Sequence, residues 1–193
     1  MPDGGNQGKG SERSMINDIQ SILMTEEQIQ ERVHAIGQQL SKDYADKFPV
    51  FVGVLKGSFM FMADVMRQVT VPCQVDFMAV SSYGSGTSTT GAVKITKDLN
   101  QDIEGKDIII VEDILDSGVT LSYLKNYLQG RNPASISIAT LLDKPARRKA
   151  DIKADYVGCS VPDEFVVGYG LDYAEEYRNL PYIGVLKPEV YSD

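Results

Sequence analysis

Residues Ile108–Thr120 read IIIVEDILDSGVT, and this stretch decides the fold. Four apolar residues, Ile108–Val111, form a run suited to a strand covered on both faces. Two carboxylates, Glu112 and Asp113, follow at the expected carboxyl edge of that strand. Asp116-Ser117-Gly118-Val119-Thr120 then leads into a helical pattern carrying Leu121, Leu124 and Leu128 on one side. A turn entering a helix presents free backbone N–H groups and the positive end of the helix dipole, and small or hydroxylated residues let a phosphate approach closely. Acidic residues repel phosphate, so the pair before the turn calls for sugar hydroxyls or a metal that bridges to phosphate. A sugar phosphate satisfies both halves. Taken singly, Glu112 and Asp113 also fit a solvated strand end, and Asp116 or Ser117 a plain helix N-cap.

Outward from this segment, strand and helix patterns alternate. Thr25-x-x-Gln28 fits a capping box, and Ile29, Val33, Ile36 and Leu40 predict an amphipathic helix over Thr25–Ala45. Val50–Leu55 is a buried strand, and Ser58 is placed to cap a helix reaching about Val69. Gln74–Ser81 and Ala92–Lys97 read as strands flanking a Ser/Gly/Thr loop over Ser81–Gly91, and Ile108–Glu112 as a buried strand followed by a helix over Val119–Leu128. Ile136–Leu142, Tyr156–Cys159, Phe165–Tyr169 and Tyr182–Leu186 complete the strands. The pattern predicts an α/β domain with a mostly parallel sheet and its ligand at the carboxyl ends of the strands.

Composition narrows the function. The chain has 193 residues, 42% hydrophobic and 24% charged, which suits one soluble domain. No apolar run approaches the roughly 20 residues of a membrane helix. A net charge of −8 argues against a nucleic-acid or anionic-membrane surface. Cys73 and Cys159 form no zinc or disulfide framework, and a single histidine, His34, leaves little room for His-based catalysis. Residues 1–14 carry four glycines and no apolar periodicity; they read as a disordered extension or tag, ahead of one domain over 15–193. Met60, Met62 and Met66 read as core filler, and Arg147, Arg148 and Lys149 as solvated surface.

IIIVEDILDSGVT resembles the phosphoribosyl-diphosphate (PRPP) motif of the type I phosphoribosyltransferases. Leu55-Lys56-Gly57, Ser82-Tyr83, Leu142-Asp143-Lys144 and Phe165–Asp172 (FVVGYGLD), followed by Arg178, resemble its bacterial hypoxanthine-guanine branch. The likeness runs from about Ile16 to Tyr191 in the family's order; Ser117 and Val119 stand where some members carry Thr and Lys. It implies the type I phosphoribosyltransferase fold: a mostly parallel twisted sheet flanked by helices, a small hood and a flexible active-site loop. It also implies purine salvage, with transfer of the ribosyl phosphate of PRPP to N9 of hypoxanthine or guanine through an oxocarbenium-like transition state. By the same resemblance Glu112 and Asp113 hold the ribose hydroxyls and stabilise the cationic sugar, and Asp116 manages the proton at purine N7. Ser117, Gly118, Val119 and Thr120 hold the 5-phosphate.

For the base, the likeness implies Lys144 donating to O6, Phe165 stacking, and Val166 and Leu171 at the base edge. Asp172, with Glu112 and Asp113, is implied as the Mg²⁺ site. Arg178, Lys56, Gly57 and Leu55 are implied for diphosphate, with a cis peptide between Leu55 and Lys56, and Ser82 and Tyr83 for a lid over the reactants. The implied setting is cytoplasmic, as a homodimer or homotetramer whose partners are small molecules. Three rival readings stand beside it: a non-catalytic PRPP- or nucleotide-sensing regulator, a related transferase acting on xanthine or adenine, and a phospho-acceptor receiver domain. Lys144 speaks against adenine, and a receiver leaves the D-S-G-V-T turn unexplained.

Overall fold

The computed structural model describes residues 14–82 and 93–192. The reading of residues 1–14 as an extension therefore lies almost wholly outside the described residues, as do Tyr83 and most of the Ser/Gly/Thr loop. The elements run β1 (Ile19–Met24), α1 (Glu26–Asp43), β2 (Val50–Leu55), α2 (Phe59–Gln68), β3 (Gln74–Ser82), β4 (Val93–Lys97), β5 (Asp107–Leu115), α3 (Val119–Gln129), β6 (Ser135–Asp143), β7 (Tyr156–Ser160), β8 (Val166–Val167), β9 (Ile183–Leu186) and α4 (Pro188–Tyr191).

Six strands form the main sheet in the order β4-β3-β2-β5-β6-β7. All its pairings are parallel except β3 with β4. Alternation along β2 and β5 divides the core between two faces. Phe51, Ile109 and Val111 pack with Ile29, Val33 and Leu40 of α1 and Phe61 and Val65 of α2. Val50, Val52, Val54, Ile108 and Ile110 pack with Leu121, Leu124 and Leu128 of α3. A second, antiparallel sheet, β1-β9-β8, forms the expected hood. Tyr177 and Leu180 pack beneath it against Val167 and Leu186.

The predicted capping box is present: Thr25 Oγ1 accepts from Gln28 N at 3.3 Å, and Gln28 Oε1 from Thr25 N at 2.9 Å. Three expectations need correction, and one strand lies where the sequence pattern predicts none. Ser58 precedes α2 but does not cap it; its hydroxyl donates to Val54 O at 2.7 Å, because in an αR backbone it turns back onto β2. The strand expected over Phe165–Tyr169 shrinks to Val166–Val167, since the chain turns into positive φ at Gly168, Tyr169 and Gly170. Strand β1 pairs with β9 and was missed, because its alternation is poor and its burial comes from a distant partner. Strand β5 runs three residues past the expected end at Glu112, its register with β6 continuing to Leu115↔Asp143.

Candidate active site

A crevice opens where the strand order reverses direction. The chain passes from β2 to β3 on one side and from β5 to β6 on the other, which makes the β2/β5 boundary the place where such sheets bind ligands. Pairing of β2 with β5 stops at Gly53↔Val111, while β2 stays with β3 to Leu55↔Ala79. Glu112 and Asp113 thus lie on a strand that has lost one neighbour, rather than beyond the strand's end.

The turn expected to cradle a phosphate follows. Glu112–Gly118, Thr120 and Leu121 line one cavity. Gly118 occupies the N-cap of α3 with φ +77°, so neither Asp116 nor Ser117 is the plain N-cap that the sequence also allowed. A methyl group at Gly118 would overlap Ile152 and crowd Arg148. Val119 N, the first N–H of α3, donates to Ser117 Oγ at 3.4 Å.

Burial raises the Glu112 carboxyl well above its ordinary value, and the adjacent Asp113 charge adds to this. The Asp113 carboxyl is pushed up to about 6, again chiefly by burial, against the pull of the Ile114 N–H at 2.7 Å and the Arg178 charge. Gly57 packs so tightly on Asp113 that a methyl group there would overlap the carboxylate. The peptide between Leu55 and Lys56 is cis, as the resemblance implies.

A second cavity adjoins the cradle and shares Ile114 and Asp116 with it; Lys144, Arg147, Phe165, Val166 and Leu171 complete its lining. All four residues expected to bind a base therefore come together. Lys144 is only 4% exposed, and its ammonium donates to Glu164 O at 2.7 Å. Asp116 Oδ1 is buried with no hydrogen-bond partner among the described residues. The Phe165 ring stacks on Tyr191 of α4, centroids 4.7 Å apart, with Tyr173 edge-on at 5.7 Å.

On the opposite side, Arg178 donates to Gly170 O at 2.7 Å and pairs with Asp172 at 3.0 Å. Its Nε is buried and unpartnered among the described residues. Glu175 lies 2.8 Å from Lys56 Nζ and 3.5 Å from Arg178, tying the two expected diphosphate ligands together. Ser82 ends β3 opposite Val93.

Sequence reasoning missed three participants. Arg147 lines the second cavity, pairs with Asp163 at 2.8 Å and stands 3.9 Å from Asp116. Glu175 belongs to no quoted motif, and only its place between Asp172 and Arg178 hints at it. Arg148, expected on solvated surface, has a side chain that is 17% exposed and makes four hydrogen bonds. Within the basic run Lys144–Lys149 nothing marks one arginine as turned inward, because the irregular backbone there has no period to read.

A parallel-sheet crevice that joins the turn expected to hold phosphate, an acidic pair and an adjoining cavity fits the class of transferases that work on phosphorylated ribose. Residues 20–174 match the phosphoribosyl transferase domain family, and the chain belongs to that family. Among known proteins it is similar to hypoxanthine-guanine phosphoribosyltransferase of Bacillus subtilis, 59% identical over 177 residues that cover 92% of this chain and 98% of that one. It is also similar to the bifunctional protein TilS/HprT of Listeria monocytogenes, 55% identical over 184 residues. That match covers 95% of this chain, which spans 28% of the Listeria protein's length. The crystal structure of a hypoxanthine phosphoribosyltransferase from Staphylococcus aureus superposes with a TM-score of 0.90 at 57% identity, covering 94% of this chain and 100% of that one.

Proposed function

We propose that this chain transfers the 5-phosphoribosyl group of PRPP to N9 of hypoxanthine or guanine, making IMP or GMP and releasing diphosphate in purine salvage. The observation that carries the reading is the shared wall: Asp116 borders both the phosphate cradle and the base cavity. A ligand spanning the two is a nucleoside 5-phosphate, with its sugar beside Glu112 and Asp113.

The backbone and hydroxyls of Ser117, Gly118, Val119 and Thr120 hold the 5-phosphate at the start of α3. Glu112 and Asp113 accept from the ribose hydroxyls. Their negative charge favours the positive charge that develops on the ring as the C1–O bond breaks. Asp116, with one buried oxygen unpartnered, accepts a proton at N7 or returns it. Lys144 spends one of its three donors on Glu164 O and offers another to a purine O6, which adenine lacks. Phe165 offers a ring face to the base, beside Val166 and Leu171. Arg178, Lys56, Gly57 and Leu55 engage the diphosphate; of the two residues that the resemblance assigns to a lid, Ser82 and Tyr83, Tyr83 lies outside the described residues.

The donor set suits magnesium. No group of three or more His, Cys, Asp or Glu side chains gathers among the described residues, as a self-sufficient metal cage requires. Mg²⁺ is ordinarily held by one or two carboxylates together with substrate phosphates and water, and Asp172, Glu112 and Asp113 supply such carboxylates. When bound, the ion neutralises the departing diphosphate. No helix among the described residues is long and apolar enough to cross a membrane. Small polar substrates fit a cytoplasmic enzyme acting as a homodimer or homotetramer, without nucleic-acid partners.

Diphosphate release from PRPP, measured with hypoxanthine, guanine, xanthine and adenine, with and without Mg²⁺, tests the reading. Turnover with hypoxanthine and guanine that depends on Mg²⁺ is expected, and none with adenine. No release with any base would overturn it.

A further inference from the structure

We propose that Arg148 is a positioning residue that fixes the 5-phosphate cradle from behind, and that Asp143 orients it. This rests on the reading of Asp116–Thr120 as the phosphate site. The turn between β5 and α3 is irregular and short, so its carbonyls must be satisfied from elsewhere if its N–H groups are to face a ligand. The segment after β6 does this. Lys144 N donates to Leu115 O at 3.0 Å, and Lys149 N and Ala150 N donate to Ser117 O at 2.8 and 3.2 Å. One carbonyl between them, that of Asp116, has no backbone donor in this set. Arg148 Nε supplies it at 3.0 Å.

The same guanidinium donates from one terminal nitrogen to Leu115 O at 3.2 Å and to the Asp143 carboxylate. The other terminal nitrogen donates to Ile152 O at 2.8 Å. Its Cδ also fills the space beside Gly118 that a side chain there would need. With the carbonyls of residues 115–117 held on one side, the turn cannot rotate its peptides without breaking bonds to Arg148 or to the backbone of Lys149 and Ala150. Asp143 stands at the last residue of β6, paired in register with Leu115, so strand geometry sets the carboxylate that aims the arginine. A planar fork with five donors can serve four acceptors spread in this way, whereas a lysine ammonium, with three donors on one atom, cannot.

The test separates this from a general loss of fold and from failure of the functional reading. Arg148→Lys, Arg148→Ala and Asp143→Asn are compared with the unaltered protein. The readouts are KM for PRPP, KM for hypoxanthine, calorimetric affinity for ribose 5-phosphate, and amide exchange over residues 116–120. The expected result is a tenfold or greater loss of affinity for PRPP and ribose 5-phosphate in both Arg148 variants, with KM for hypoxanthine within about twofold. Asp143→Asn shows a smaller loss of the same kind. Faster exchange confined to residues 116–120 accompanies each, and it is read without any substrate. Should Arg148→Ala fail to fold, Arg148→Lys and Asp143→Asn carry the comparison. Rescue of phosphate affinity by lysine, or unchanged exchange and affinity in the Arg148 variants, would overturn the proposal. Absence of ribose 5-phosphate binding by the unaltered protein would instead defeat the assignment of the cradle, while the exchange result still decides the role of Arg148 in holding the turn.

Discussion

At the residue scale, the acidic pair carries a stability cost. A carboxyl whose folded pKa lies above its unfolded value keeps its proton better in the folded chain, so stability falls as pH rises through the interval between the two. For Asp113 that interval runs from 3.8 to about 6. Asp113→Asn should therefore raise the melting temperature at pH 7–8 and leave it nearly unchanged below about pH 4. A pH series of thermal melts reads this directly; an equal gain at both ends would show that the carboxyl is not strained by burial. Asp116→Asn keeps the shape of the wall but removes the proton acceptor. It should lower kcat by about 10²-fold or more with little change in KM for PRPP, and equal loss in both would remove the proton-handling role. The motif residues were legible because charge and hydroxyl groups stand out in a linear pattern. Arg147 and Arg148 were not, since two adjacent arginines look alike until the backbone turns one outward to Asp163 and the other inward to Asp143.

At the scale of elements, α1 and α3 begin in contrasting ways. The start of α1 is satisfied by its own side chains through the Thr25–Gln28 box. The start of α3 has a glycine in the left-handed region at its N-cap, which has no side chain to cap with, and only a long 3.4 Å bond from Val119 N to Ser117 Oγ beside it. A helix that binds an anion must leave its first N–H groups free, and a cap would compete for them. Thr25→Ala should cost about 1 kcal/mol of stability and leave kinetics untouched. Gly118→Ala should cost about 1–3 kcal/mol through its positive φ and the overlap with Ile152, and should raise KM for PRPP well above that for the base. Denaturant melts and initial rates on both variants make the comparison. If Gly118→Ala raises the two KM values alike, the turn is not a phosphate-specific device.

At the scale of the whole molecule, two sheets from distant parts of the chain meet over one crevice, joined by the packing of Met24, Val166 and Ile183 in the cluster that holds α1 and α2, and by side-chain hydrogen bonds. Tyr169, in the hood loop with φ +50°, donates to Asp64 of α2 at 2.6 Å. Gln30 of α1 donates to the same carboxylate oxygen at 3.1 Å. A hydrogen bond to a charged group contributes about 1.5–3 kcal/mol. Tyr169→Phe should accordingly speed amide exchange in β8, β9 and the loop between them while leaving β2 and β5 protected. Uniform acceleration across both sheets would mean that the hood does not open on its own. The sequence alone determined the strand–helix alternation, the capping box and the burial of the central strands on both faces, and it singled out the turn over Asp116–Thr120. These depend on local periodicity, or on a contiguous motif, and need no knowledge of distant neighbours. Only the tertiary structure decided that β5 continues beneath its acidic pair, that β1 closes the hood against β9, and that Asp116 serves two cavities at once. It alone also turned one arginine of a basic run to grip the turn from behind. Each of these arises from contacts between segments tens of residues apart, whose geometry is settled by how sheets and loops pack rather than by any pattern along the chain.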